Sequence, residues 1–358
     1  MSGILGLLNL TDGDRKFGQT VGQKVVYDAA QEYLRQHNME LQKVISVFVQ
    51  ETTEEYKERY RLPGGGRMQR RSGQAQSGAV KPTGSWDVAY PLYDFGSQLA
   101  YTDVEFAKMT PNGLQLHLDT IRAQDINTVR FEILYRLFNS AQATFDDPEH
   151  GALSIEPLAN GDSVLFPPVL GTESEATETH YLESNYAASA IDDTNNPLVT
   201  LRNDLEEHFG TPTGFGNTVV FANTANIAKL KALADFVEVV DSNVRAGNDT
   251  ATPQSLPAAV PGRIVGRCDG TWVVEWRWIP SGWMLAIDLD QPKPLKMRVD
   301  EADTGLPRGL ALVSTSDTHP MMQSHYRHRY GFGAANRLNG AVIEFNTGGS
   351  YTAPSAYA

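Results

Sequence analysis

Apolar positions along the chain switch between a period near 3.6 and a period of 2, and the switches mark out its elements. Val25, Val26, Ala29, Ala30, Tyr33 and Leu34 recur at i, i+1, i+4 and i+5, a helical stripe. Leu41, Val44, Ile45 and Phe48 continue it after an expected break near Asn38. Asp119 is the expected N-cap of the longest helix, whose face carries Ile126, Val129, Ile133, Leu137 and Ala141, widened by Leu134 and Phe138. Running to Phe145, it would span roughly 40 Å at 1.5 Å per residue. Two shorter helices are expected over Pro197 to Phe209, closed by Gly210, and over Asn223 to Phe236.

Period-2 patterning appears at Val88, Tyr90 and Leu92, and again at Val104 and Phe106. Val219-Val220-Phe221 predicts a short buried strand. Trp272, Val274, Trp276 and Trp278 share one strand face, Pro280-Ser281-Gly282 predicts a turn, and Trp283, Leu285 and Ile287 alternate on the return, which together predict a hairpin. Four of the five tryptophans lie there, so it is expected to anchor the core. A last extended region, about 323–345, is basic and aromatic. No internal repeat is present. Helices and strands interleave without a regular alternation, which predicts an α+β fold.

Between these elements lie segments that cannot build a core. Residues 1–22 form an arm without sustained periodicity, and 62–84 form a polar, Gly-rich stretch between two extended arms, an expected long hairpin tip. Charge is distributed unevenly. From Arg61 to Trp86 there are five basic residues (Arg61, Arg67, Arg70, Arg71, Lys81) and no acidic ones; from Leu137 to Leu201 there are eleven acidic residues and neither Lys nor Arg. Two solvated surfaces are the default reading; the sharper one is a pair of complementary patches that meet between subunits. The total of −13 argues against a dedicated nucleic-acid binder. No stretch has the roughly 20 apolar residues of a membrane helix, no secretory leader is expected, and the lone Cys268 fits a reducing compartment.

Candidate chemistry adds little. His319, His325 and His328 have unpaired spacing for a zinc site, and in a strand His325 and His328 face opposite ways, so they are expected at a surface or interface. Gly331-Phe332-Gly333 is a fragment of a dinucleotide fingerprint outside its strand-to-helix context. Gly64-Gly65-Gly66-Arg67 lacks the lysine of a phosphate loop. Asp288 and Asp290 are expected on a solvated rim. No catalytic, cofactor or metal residue is assigned and no cofactor is expected.

The order of elements, arm, helix, basic loop, long helix, acidic α/β unit, tryptophan strands and basic closing strand, resembles the tailed-phage major capsid proteins of the Hong Kong 97 type. Two stretches carry the likeness at residue level: GRIVGRCDGTWVVEWRWIPSGWMLAIDL, similar to the axial strands and their turn, and SHYRHRYGFGAANRLNGAVIEF, similar to the closing strand. The resemblance implies an N-terminal arm with first helices (1–50), an extended E-loop (51–110), a peripheral domain with its spine helix (111–150 and 311–358) and an axial domain (151–310). It implies a non-enzymatic shell subunit that forms hexamers and pentamers of itself in the host cytoplasm. These would enclose double-stranded DNA in the virion without sequence-specific binding, alongside portal, scaffolding and decoration proteins. Scaffolding would come from a separate chain unless this is the mature form. Expected inter-subunit contacts are Arg61, Arg67, Arg70 and Arg71 on the loop and Ile4, Leu7 and Leu8 on the arm. Some relatives cross-link a loop lysine to an asparagine; here Lys57, Lys81, Asn336, Asn339 and Asn346 are the raw groups, and no link is expected. An encapsulin shell of the same fold, and a soluble α/β enzyme or binding protein, are the alternatives.

Overall fold

The structure, a computed structural model, describes residues 23–61, 85–170, 172, 174–208, 217–239, 260–318 and 321–357. The arm, the loop tip with Arg67, Arg70, Arg71 and Lys81, and His319 lie outside the described residues.

The first helix, α1, runs unbroken over Gln23–Ile45. The expected break at Asn38 is absent because its amide is satisfied elsewhere. Its Oδ1 accepts from the Leu310 N–H (2.9 Å) and its Nδ2 donates to the Leu310 carbonyl (3.1 Å), so it does not compete for its own helix backbone. Strands β1 (Val49–Thr53), β2 (Lys57–Arg61), β3 (Ser85–Ala89) and β4 (Tyr93–Thr102) follow. The alternation at Val104 and Phe106 belongs to a one-turn helix, α2 (Asp103–Lys108), and not to a strand. There Thr102 and Glu105 form a reciprocal capping box, Glu105 N–H to Thr102 Oγ1 (3.2 Å) and Thr102 N–H to Glu105 Oε2 (2.9 Å).

The long helix, α3, spans Pro111–Phe138, earlier at both ends than expected. Thr110 is its cap, accepting from Gly113 N–H at 3.2 Å, with Pro111 in the first turn where a missing N–H costs nothing. Asp119 is mid-helix and accepts from the Tyr33 hydroxyl on α1. Beyond Asn139 the chain turns into the hairpin β5 (Ala143–Asp147) and β6 (Gly151–Ile155).

The remaining elements are β7 (Tyr181–Glu183), α4 (Pro197–Glu206), β8 (Thr218–Ala222), α5 (Thr224–Leu230), β9 (Phe236–Glu238), β10 (Arg263–Cys268), β11 (Thr271–Glu275), β12 (Trp283–Asp288), β13 (Leu295–Arg298), β14 (Ala311–Thr318), β15 (Met321–Ala334) and β16 (Ala341–Glu344). The expected helix over 223–236 is only α5; Phe236 already belongs to β9.

Seven strands form one sheet in the order β7-β16-β12-β8-β11-β10-β9. The tryptophan hairpin is therefore corrected: β11 and β12 do not pair, because β8 lies between them, parallel to β11 and antiparallel to β12. The alternation identified both strands but not their partner, since period 2 reports the faces of a strand and not its neighbour. All five residues of β8 are buried. Val219 and Phe221 face Val129, Ile133 and Leu137 of α3, while Val220 and Ala222 face Leu198, Leu201 and Leu205 of α4 and Ile227 and Leu230 of α5. Helices on both faces explain why β8 is continuously apolar.

A second sheet has the order β1-β13-β15-β14, with β4 also on β15. The 14-residue β15 organises it, pairing through its first part with β4 and β14 and through Gly331–Ala334 with β13. Gly331 and Gly333 are packing devices. A Cβ on Gly331 would stand 2.2 Å from the Pro91 carbonyl oxygen, and one on Gly333 2.6 Å from the Tyr90 ring.

Candidate functional site

The fold builds charged surfaces and buried ionic nodes between elements. The first is the root of the β2/β3 hairpin, paired from Lys57 with Ala89 to Arg61 with Ser85. Trp86 is inserted among Phe166, Val88, Tyr90 and Leu338, and its indole N–H donates to the Ala335 carbonyl at 3.0 Å. Below it, Lys296 meets Glu51 and Glu58, both at 2.7 Å, and Thr53 donates to Glu58 at 2.9 Å. Burial alone would raise the Glu58 carboxyl; Lys296 and Thr53 outweigh that and hold it below the ordinary carboxylate range. Higher up, Asp87 takes Arg59 at 2.8 Å and Lys57 at 3.3 Å. Arg61, the one expected contact residue inside the described part, is exposed at the end of β2.

The acidic run is partly closed within the chain. Asp147 is buried against Arg298 (2.7 Å), and Asp162 meets the fully buried Arg337 (2.7 Å), which also donates to the Pro157 carbonyl (2.8 Å). Asp146, Glu149, Asp192 and Asp193 remain exposed.

The second node was missed by sequence reasoning. His328 is not at a surface; it is 4% exposed, and its Nδ1 lies 2.7 Å from Asp125 Oδ1 on α3. The other oxygen of Asp125 meets Nε2 of His37 on α1 at 2.8 Å. A carboxylate only accepts, so both facing ring nitrogens carry protons. Burial pushes the Asp125 carboxyl up, and the hydrogen bonds from His328 and His37 outweigh it and hold it below its usual range. Tyr33 to Asp119 and Arg122 to Glu40 (2.9 Å) complete a polar stripe between α1 and α3. Its signal was in the sequence: Tyr33, His37 and Glu40 are at helical spacing, as are Asp119, Arg122 and Asp125.

Asp288 is likewise buried and not on a rim. Burial raises its carboxyl, and its backbone is clasped by Asn339, whose Oδ1 accepts from the Asp288 N–H and whose Nδ2 donates to its carbonyl, both at 2.9 Å. Asn336 is also buried, donating to the Pro292 carbonyl at 2.8 Å. No described helix is long and apolar enough to cross a membrane.

No family model matches the chain, and no curated protein matches it. Solved structures do. A chain of Mycobacterium phage Patience aligns at TM-score 0.68 and 19% identity, over 97% of this chain and 95% of that one. A chain of the mature capsid of bacteriophage PhiM1 aligns at TM-score 0.50 and 9% identity, over 83% and 85%. An encapsulin from Synechococcus elongatus reaches 0.44 at 10% identity, over 86% and 89%. The fold is that of the tailed-phage capsid structures.

Proposed function

We propose that this chain is the major capsid protein of a tailed phage, assembling through hexamers and pentamers into an icosahedral shell around double-stranded DNA. The observation that carries the reading is the alignment with the phage Patience chain, which spans 97% of the sequence at TM-score 0.68. In this reading β2 and β3 are the base of the E-loop, α3 is the spine helix of the peripheral domain, and the seven-stranded sheet with α4 and α5 is the axial domain. The division at residues 50, 110, 150 and 310 belongs to the same proposal, with strands exchanged across it: β4 and β13 add to the sheet of β15, and β16 adds to the sheet of β12.

The hairpin root supports a lever role. Trp86 and the Lys296–Glu51–Glu58 cluster fix its base, so a basic tip at Arg61, Arg67, Arg70 and Arg71 would be presented to a neighbouring subunit. Exposed Asp146, Glu149, Asp192 and Asp193 offer the complementary charge. Exposed ion pairs contribute only about 0–1 kcal/mol each, so they would set register, and apolar burial at roughly 25 cal/mol per Å² would supply the cohesion. Ile4, Leu7 and Leu8 of the arm would be part of that burial. The subunit would act without catalysis or cofactor, with separate scaffolding, portal and decoration proteins, in the host cytoplasm and then the virion.

Electron microscopy of the purified protein, alone and with co-expressed scaffold, tests this. Closed polyhedral particles are expected; a monodisperse monomer or dimer under every condition would refute it.

A further inference from the structure

Buried polar atoms in native proteins find partners in roughly nine cases of ten. Where α4 ends against β7, several in one place have none. His180, immediately before β7, is fully buried, and its Nδ1 donates to the Gly340 carbonyl at 3.1 Å. A carbonyl only accepts, so Nδ1 carries the proton and Nε2 of the neutral ring is a lone pair; that atom is buried without a partner. Its ring stacks on His208, with centroids 6.5 Å apart at 15°. The His208 side chain is 1% exposed, and neither of its nitrogens makes a hydrogen bond, although the Pro167 and Pro168 carbonyls face the ring. Glu207 Oε1 lies 3.5 Å from His208 Nε2. Asp204, one turn back on α4, brings Oδ2, also buried and unpartnered, to 3.4 Å from His180 Nδ1.

We propose that His180, Glu207 and His208 form a structural site for a divalent transition metal of the zinc class, with Asp204 as the adjoining carboxylate. One ligand atom from each of the three lies within 4.8 Å of the others. Metal–nitrogen bonds of about 2.0–2.1 Å place tetrahedral ligands about 3.3 Å apart, so the side chains draw in on binding. Two imidazoles favour zinc, cobalt, nickel or copper over magnesium or calcium. The Gly340 carbonyl fixes the tautomer of His180, as carbonyls do behind metal-bound histidines. A metal ion would bring positive charge to this group of carboxylates and imidazoles. Bound there, the ion would pin the end of α4 to the edge of the seven-stranded sheet.

This inference is independent of the shell reading and is tested on the untagged, unassembled chain. Titrated with cobalt(II), the protein should take up one equivalent per chain and develop the visible absorption of a tetrahedral site, discharged by one equivalent of zinc. Glu207→Gln, at a partly exposed position, and His208→Gln should each weaken uptake by at least tenfold. Zinc should raise the melting temperature of the parent and not of either variant. Should His208→Gln fail to fold by circular dichroism, Glu207→Gln decides alone. Cobalt that remains octahedral and aquated, or binding unchanged in Glu207→Gln, would overturn the assignment.

Discussion

Replacing Asp125 with Ala strikes a carboxylate that joins α1, α3 and β15. The substitution strands two buried ring N–H groups, on His37 and His328, that Asp125 now accepts at 2.8 and 2.7 Å. Removing one member of a buried, hydrogen-bonded charge cluster costs about 3–5 kcal/mol. Asp125→Asn keeps the shape and one acceptor, so its cost should fall nearer the 1–3 kcal/mol of a single unmatched buried group. Urea unfolding of the unassembled chain, followed by tryptophan fluorescence, reads both. With a slope of about 3 kcal/mol per M, Asp125→Ala should move the midpoint down by about 1–1.7 M and Asp125→Asn by less. Acidity supplies a second readout. The folded Asp125 carboxyl titrates below its unfolded value of about 3.9. Its stabilisation is therefore complete above that pH and is lost as pH falls through the folded value, so the parent should lose more stability than Asp125→Asn below about pH 4. A midpoint shift under about 0.3 M for Asp125→Ala would show that the node is not a structural joint.

Four further outcomes follow from the geometry and the proposed function. Gly331→Ala forces a Cβ to 2.2 Å from the Pro91 carbonyl and should cost about 1–3 kcal/mol, whereas Gly282→Ala, which meets nothing within 4 Å, should be near neutral; thermal melts distinguish them. Reversing Arg67, Arg70 and Arg71 to Glu should impair particle formation while circular dichroism stays unchanged; normal assembly at low and high salt would reduce the tip to solvated decoration. Deleting residues 2–12 should lower particle stability more than subunit stability, and equal losses would exclude packing of the arm on a neighbour. Denaturing electrophoresis of particles should give a single band near 39.3 kDa, because Lys57 is held by Asp87 at 3.3 Å and the amides of Asn336 and Asn339 are buried on backbone carbonyls; a boiling-resistant ladder would contradict this.

What the sequence disclosed depended on the range of the interaction. The core stripe of α3 (Val129, Ile133, Leu134, Leu137, Phe138) is buried as its spacing required, because helical period and burial are local matters. Boundaries failed where a side chain answered to a distant partner: Asn38 stayed helical because Leu310 satisfies it, and Asp119 resembled a cap but serves Tyr33. The pairing of β11 with β8 was invisible for the same reason, since each strand carries its faces in its own pattern and its neighbour only in the other's. Both histidine groups were missed because their members come from separate elements, His37, Asp125 and His328 in one case and His180 with Glu207 and His208 in the other. The odd offset of His325 and His328 put them on opposite faces of a strand, as β15 has them, but gave no sign that His328 faces the core.

The order of the seven-stranded sheet has a consequence for synthesis on the ribosome. β7, at residues 181–183, has β16 as its sheet neighbour, and β16 is made only at residues 341–344. β8 likewise waits for β11 and β12. A nascent chain halted anywhere in between holds an apolar strand, Thr218–Ala222, with neither partner yet available. Such non-local pairings make folding slow and leave strand edges open to other chains meanwhile. Newly made subunits should therefore depend on chaperones until β16 emerges, and truncations before residue 341 should collect in the insoluble fraction however well α1 and α3 pack on each other.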